Sequence, residues 1–296
     1  MLENLIAESR DGRVVVAQDI LEVNPSEQIS LVSTFSKESI TANGLNVRKV
    51  LICAPGYPGD ATETLHTLGR YLAERSDGVV TSVIGYSGVT EKVLFLGIEG
   101  LAQDGTIVPE GSFSFMSAAD SLDPVIDTAS RQFSGAELYL LGMSYGGVYA
   151  LGHLADSRVR SGVVFVNPVT DVALINADYD KERKGIRGLI EYGVDTKRIR
   201  GDAQILYNEQ KTALAARFNP VKEKVTAVTA PVYIFQVAND PGFAEAHTAD
   251  LQKCIRELGG TVRLDREFPR ADHNFTDPAD RQRLFELMRT EVLRVR

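Results

Sequence analysis

Gly142-Met143-Ser144-Tyr145-Gly146-Gly147 follows the apolar run Glu137-Leu138-Tyr139-Leu140-Leu141 and precedes Val148-Tyr149-Ala150-Leu151. The run before it reads as a buried strand and the segment after it as a helix, so Ser144 sits at a sharp turn between the two. This is the G-x-S-x-G arrangement of a nucleophile elbow. The turn brings strand and helix backbones close together, which favours glycine on both sides, and it holds the serine at strained backbone angles that project its hydroxyl outward. A hydroxyl so held can attack a carbonyl carbon. The five residues alone also describe a plain glycine-rich turn opening an ordinary helix, and the order of the surrounding segments decides between the two readings.

Working outward, strand and helix alternate. Residues 13–17, 29–34 and 46–54 carry strand-like β-branched content, 62–75 places Leu65, Leu68 and Leu72 at helical spacing, and 78–86 returns to a strand. Residues 87–120 are glycine-rich and irregular, and 122–133 reads as the helix before the elbow strand. After the elbow, Ser161-Gly162-Val163-Val164-Phe165-Val166-Asn167 is the near-continuous apolar run of a strand covered on both faces. The rhythm breaks over residues 168–230, a more polar, helix-forming stretch that reads as an insertion. It resumes with a strand at 231–237, a helix at 244–258, a strand at 262–268 and a final helix at 278–295. The expected architecture is one α/β domain spanning 1–296: a mostly parallel central sheet flanked by helices, with chemistry at the carboxyl ends of its strands.

The remaining reactive residues fall at those ends. Asp240 follows the 231–237 strand in Ala238-Asn239-Asp240-Pro241, and His273 follows the 262–268 strand in Pro269-Arg270-Ala271-Asp272-His273-Asn274-Phe275. The order Ser144, Asp240, His273, each beyond a strand, resembles that of the α/β-hydrolase superfamily over a span from about residue 50 to 296. The resemblance implies a triad. A serine hydroxyl needs a neutral imidazole to take its proton, and the imidazolium needs a carboxylate to orient it and stabilise its charge. His273 and Asp240 are the candidates for those roles. Asp171 is a rival acid, because some superfamily members recruit theirs after the equivalent of the 163–166 strand. Asp272 is a poor partner for its neighbour His273, since adjacent side chains in an extended loop diverge. His66, His153 and His247 lie in helical patterns and read as surface or helix-packing residues.

Ala54-Pro55-Gly56-Tyr57-Pro58-Gly59-Asp60 follows a strand and resembles the superfamily's His-Gly loop, with Pro55 where a histidine often stands. It implies an oxyanion hole built from the Tyr145 and Tyr57 backbone N–H groups, with Gly56 allowing a tight turn. A serine nucleophile, rather than aspartate, implies acyl transfer. The 168–230 insertion is expected to act as a helical lid or cap over the pocket, where Tyr179, Tyr192 and Tyr207 are candidate substrate contacts beside their plainer reading as helix-packing aromatics.

Composition excludes several classes. The 296 residues carry a net charge of −8, which disfavours a nucleic-acid partner, and 44% hydrophobic with 24% charged content is that of a globular protein with a large core. No stretch of 18 or more apolar residues and no signal-like opening is present, so no membrane is expected and a cytoplasmic location is. Cys53 and Cys254 read as buried thiols without metal or disulfide spacing. With no nicotinamide fingerprint and no phosphate-binding loop, no cofactor and no metal is expected. The favoured reading is hydrolysis of a small-molecule carboxylic ester or thioester. Two alternatives stay open: an acyltransferase or carrier-linked thioesterase with an acyl-carrier protein as partner, and a non-catalytic binding module on the same fold. Oligomeric state is not legible.

Overall fold

A computed structural model describes residues 5–9, 11–42, 44–56, 60–87, 110–170, 212, 213, 216, 227–238, 240, 246–266 and 268–295. The chain opens with strands β1 (Leu5–Glu8), β2 (Val14–Asn24) and β3 (Glu27–Ser36), then a small ladder of β4 (Ile40–Thr41) and β5 (Gly44–Leu45). Next come β6 (Lys49–Pro55), α1 (Asp60–Ala73), β7 (Val79–Gly85), α2 (Phe115–Asp120), α3 (Leu122–Gln132), β8 (Glu137–Met143), α4 (Gly146–Leu151) and β9 (Gly162–Val166). Strand β10 (Val232–Phe235), α5 (Ala246–Glu257), β11 (Val262–Asp265) and α6 (Pro278–Leu287) complete the series, and a π-helical turn over Met288–Val292 closes it.

Nine strands form one sheet in the order β1-β2-β3-β7-β6-β8-β9-β10-β11. Pairing from β7 through β11 is parallel throughout, whereas β1, β2 and β3 pair antiparallel and β3 joins β7 antiparallel. The parallel strands are apolar along their length because helices cover both faces: Val50, Leu51, Ile52, Cys53 and Ala54 in β6 are fully buried. One core lies between the sheet and α2 to α5, and includes Leu122, Val125, Ile126, Ala129, Leu251 and Ile255. The other lies under α1 and α6, and includes Leu65, Leu68, Leu72, Leu284 and Phe285. The helical spacing of Leu65, Leu68 and Leu72 therefore points at the sheet as the sequence predicts.

Strand β6 lies between β7 and β8, so the chain runs one way from β6 to β7 and then crosses back over β6 to reach β8. At such a reversal the loops leaving neighbouring strands diverge and open a crevice at their carboxyl ends. The loop after β6 and the elbow after β8 flank this crevice.

Two expectations are revised. Within the irregular 87–120 stretch, Phe115–Asp120 is helical, capped by Ser114, whose side chain accepts from Ser117 N–H. The strand expected over 262–268 ends at Asp265, because Phe268 turns into the core beneath α6. The 168–230 insertion lies almost wholly outside the described residues, and Asp171, Tyr179, Tyr192 and Tyr207 with it. Among the described residues, no helix is long and apolar enough to cross a membrane.

Candidate active site

The elbow is fixed by close backbone approach. A side chain on Gly146 would place its first carbon 1.9 Å from the Ala54 carbonyl oxygen of β6, and one on Gly142 would lie 2.3 Å from the Gly146 carbonyl oxygen. Gly147 has Pro168 Cβ at 2.9 Å from the same position. Helix α4 therefore starts wedged between the ends of β6 and β9, where only glycine fits. Ser144 itself adopts φ 56°, a left-handed conformation that is costly for a residue with a side chain. The surroundings hold it there: its N–H donates to Val166 O at 3.0 Å, and its carbonyl accepts from Gly147 N–H at 2.9 Å and Val169 N–H at 3.0 Å.

Asp240 and His273 meet directly. His273 Nδ1 lies 2.5 Å from Asp240 Oδ2, with Asp240 side-chain exposure at 1% and that of His273 at 9%. A carboxylate oxygen accepts, so this contact calls for the imidazole N–H on Nδ1. Asp272, by contrast, is hydrogen-bonded within its own loop, accepting from Thr276 N–H at 2.9 Å, Thr276 Oγ1 at 2.7 Å and Asn274 N–H at 3.2 Å. Partial burial alone would raise its pKa, yet these hydrogen bonds hold the carboxyl below its ordinary range.

Ser144 and His273 are anchored to successive residues of one strand end. Val166 O receives the Ser144 N–H at 3.0 Å, and the next side chain, Asn167, donates from Nδ2 to the His273 carbonyl at 2.7 Å. Asn167 is fully buried and itself left-handed, at φ 43°. The histidine loop has further ties: Thr64 Oγ1 donates to Asn274 O at 2.6 Å, and the buried Asp280 carboxylate accepts from both Arg270 N–H and Ala271 N–H at 2.7 Å. None of these residues is singled out by a sequence motif. Their one signal is polarity where the pattern demands burial, as in Asn167 ending an otherwise apolar strand.

On the opposite side of the elbow, a side chain on Gly56 would lie 2.1 Å from Tyr145 N. Gly56 is not in the left-handed region, and this close approach to the elbow by itself requires glycine there. The preceding carbonyl, Pro55 O, is held by the buried Tyr86 hydroxyl at 2.6 Å. Tyr57 lies outside the described residues. Tyr145 packs its ring on Phe115 at 5.1 Å between centroids, fixing the residue after Ser144.

Of the other histidines, His66 and His247 are buried, and His247 Nδ1 accepts from Thr170 N–H at 3.2 Å. His153 lies with Asp123 and Asp156, whose ligand atoms are all within 4.8 Å of one another. Arg158 already occupies that cluster, bonding Asp123 at 2.9 Å and Asp156 at 2.5 Å and also reaching Asp127. The trio is thus an ion-pair network around a guanidinium. Cys53 and Cys254 are buried free thiols, and burial pushes the Cys53 thiol well above its ordinary pKa.

No family model matches the chain, and no curated protein matches it in sequence. Several solved structures share its fold. Est1E from Butyrivibrio proteoclasticus, solved with ferulic acid bound, superposes with a TM-score of 0.58 at 15% identity, covering 93% of this chain and 99% of its own. Carboxyl esterase 2 from the fungus Tuber melanosporum gives 0.59 at 13% identity, over 96% of this chain and 88% of the other. The peroxisomal alpha-beta-hydrolase Lpx1 from Saccharomyces cerevisiae gives 0.56 at 14% identity, over 93% and 89%. The chain has the α/β-hydrolase fold.

Proposed function

We propose that this protein is a serine hydrolase that cleaves a carboxylic ester or thioester. The observation that supports this reading is that a strained serine at a strand-to-helix turn and a buried, carboxylate-paired histidine are anchored to successive residues, Val166 and Asn167, of one strand end. In the first half-reaction Ser144 Oγ attacks the substrate carbonyl carbon while His273 Nε2 takes the hydroxyl proton. The resulting imidazolium is stabilised by Asp240, and the oxyanion by the Tyr145 and Tyr57 backbone N–H groups. Collapse of the tetrahedral intermediate breaks the bond to the leaving alcohol or thiol, which takes the proton from His273. Water then repeats the sequence on the acyl-Ser144 ester, giving the carboxylic acid and the free serine. Gly56 borders the site through its contact with the elbow, and Tyr179, Tyr192 and Tyr207 are proposed to shape the pocket from the 168–230 insertion.

A fluorophosphonate probe tests the nucleophile, and a panel of acyl esters and acyl thioesters of increasing chain length tests the pocket. Labelling that maps to Ser144 and disappears in Ser144→Ala, together with ester or thioester turnover, is the expected result. Labelling without turnover in water, but with transfer to an added alcohol, amine or acyl-carrier protein, would assign the acyltransferase alternative. No labelling and no turnover would leave a binding module on this fold.

A further inference from the structure

Asn167 sits where the three proposed catalytic segments meet. Its Oδ1 accepts from Val237 N–H at 2.9 Å, on the segment that leads from β10 to Asp240. Its Nδ2 donates to the His273 carbonyl at 2.7 Å. Its backbone N–H donates to Phe235 O at 2.9 Å, and the residue before it, Val166, accepts from Ser144 N–H at 3.0 Å. The amide orientation follows from chemistry: a backbone N–H can only donate and a carbonyl can only accept, so oxygen must face Val237 and nitrogen must face His273. The side chain is fully buried, and both of its polar ends are satisfied by segments far apart in sequence.

We infer that Asn167 is a positioning residue that sets the register between the Asp240-bearing and His273-bearing loops, and so acts on catalysis through the carboxylate–imidazole pair. The inference rests on the proposed hydrolase reading. Burial by itself would demand that the amide be hydrogen-bonded, but not that its two ends join these two loops. Two further features favour a dedicated role. The left-handed backbone at φ 43° is a conformation asparagine tolerates better than most side chains, and it swings the amide off the strand and between the loops. The shorter Ser and Thr side chains could not bridge both partners.

The test is a double-mutant cycle between Asn167 and Asp240. Asn167→Gly removes the amide while accepting the positive φ. Esterase kinetics are normalised to the folded, probe-labelled fraction taken to completion, so loss of folded protein does not count as loss of kcat. In the native background, kcat is expected to fall on the order of 10²-fold, as for a misplaced reacting group, with KM within about twofold. In an Asp240→Ala background the same substitution is expected to cost less than about threefold, because residues acting as a unit are not additive. Equal losses in the two backgrounds, or a change in KM with kcat unaltered, would overturn the inference while leaving the hydrolase reading intact. If Ser144→Ala and Asp240→Ala both retain full turnover, the hydrolase reading fails and the inference with it. Asn167→Ala, which keeps a Cβ in the same space, carries the identical cycle should the glycine variant not fold.

Discussion

The two halves of the sheet use the same elements for different ends. In the N-terminal wing, β1 to β3 are antiparallel, and the glycines beside them serve turns: Gly12 and Gly44 have φ of +67° and +113° with nothing within 4 Å of an added Cβ. In the parallel half, Gly56, Gly142, Gly146 and Gly147 have ordinary backbone angles but backbone or side-chain atoms within 3 Å of that position. Ser144, Asn167 and Phe275, three of the four left-handed non-glycine residues among those described, lie in the strand-end loops of the parallel half, and none lies in the wing. Strain and close approach are thus concentrated where geometry must be held, while the wing contributes burial. Backbone strain persists only where its surroundings over-determine it, as the hydrogen bonds around Ser144 do.

This contrast can be attacked at several points. Ser144→Ala should cost the most, lowering kcat/KM by at least about 10⁴-fold with the melting temperature unchanged or raised, since a buried polar hydroxyl is removed while the backbone conformation is kept. Steady-state kinetics beside calorimetry check both halves. Asp240→Asn should lower kcat by about 10²- to 10⁴-fold by disturbing the imidazole tautomer, and a loss under tenfold would move the acid elsewhere, with Asp171 the next residue to substitute. Gly146→Ala should damage fold and activity together, because a methyl 1.9 Å from Ala54 O forces α4 away from β6. In the wing, Phe35→Ala should behave oppositely. Its ring is fully buried, so about 3–5 kcal/mol of unfolding free energy should vanish in denaturant titrations while kcat per folded molecule stays within about twofold.

The smallest effect concerns pH. Glu286, on α6 away from the elbow, has its pKa lowered to about 2 by hydrogen bonds from Arg289 and Tyr71. A carboxylate depressed on folding stabilises the native state above its unfolded pKa of about 4.3, and that contribution is lost as pH falls toward 2. Glu286→Gln should therefore slightly flatten the fall of melting temperature across that window and leave kcat at neutral pH untouched. The effect stays small because the side chain is 45% exposed and screened by solvent.

Much of this was legible in the chain itself. The elbow could be read because strand, turn and helix each leave a local signature, and the parallel strands because covering both faces makes them continuously apolar. Asp240 and His273 were legible by order and by their placement beyond strands. Asp272 shows the limit of adjacency as a guide: it neighbours His273 in sequence, yet its carboxylate is spent on Thr276 and Asn274. Gly56 was identified for a turn, and sequence gave no sign of its closest contact. Its real constraint is an elbow nearly ninety positions away, and no local pattern records such a contact.

By itself, then, the sequence determined the α/β alternation, the serine's place at a strand-to-helix turn and the candidates for acid and base, because these depend on periodicity and local backbone preference. Only the tertiary structure decided which carboxylate meets the imidazole, why the elbow glycines cannot be replaced, and that Asn167 joins the two loops. Those are contacts between segments distant along the chain, and their distances are set by how β6, β8, β9 and β10 lie side by side in the sheet.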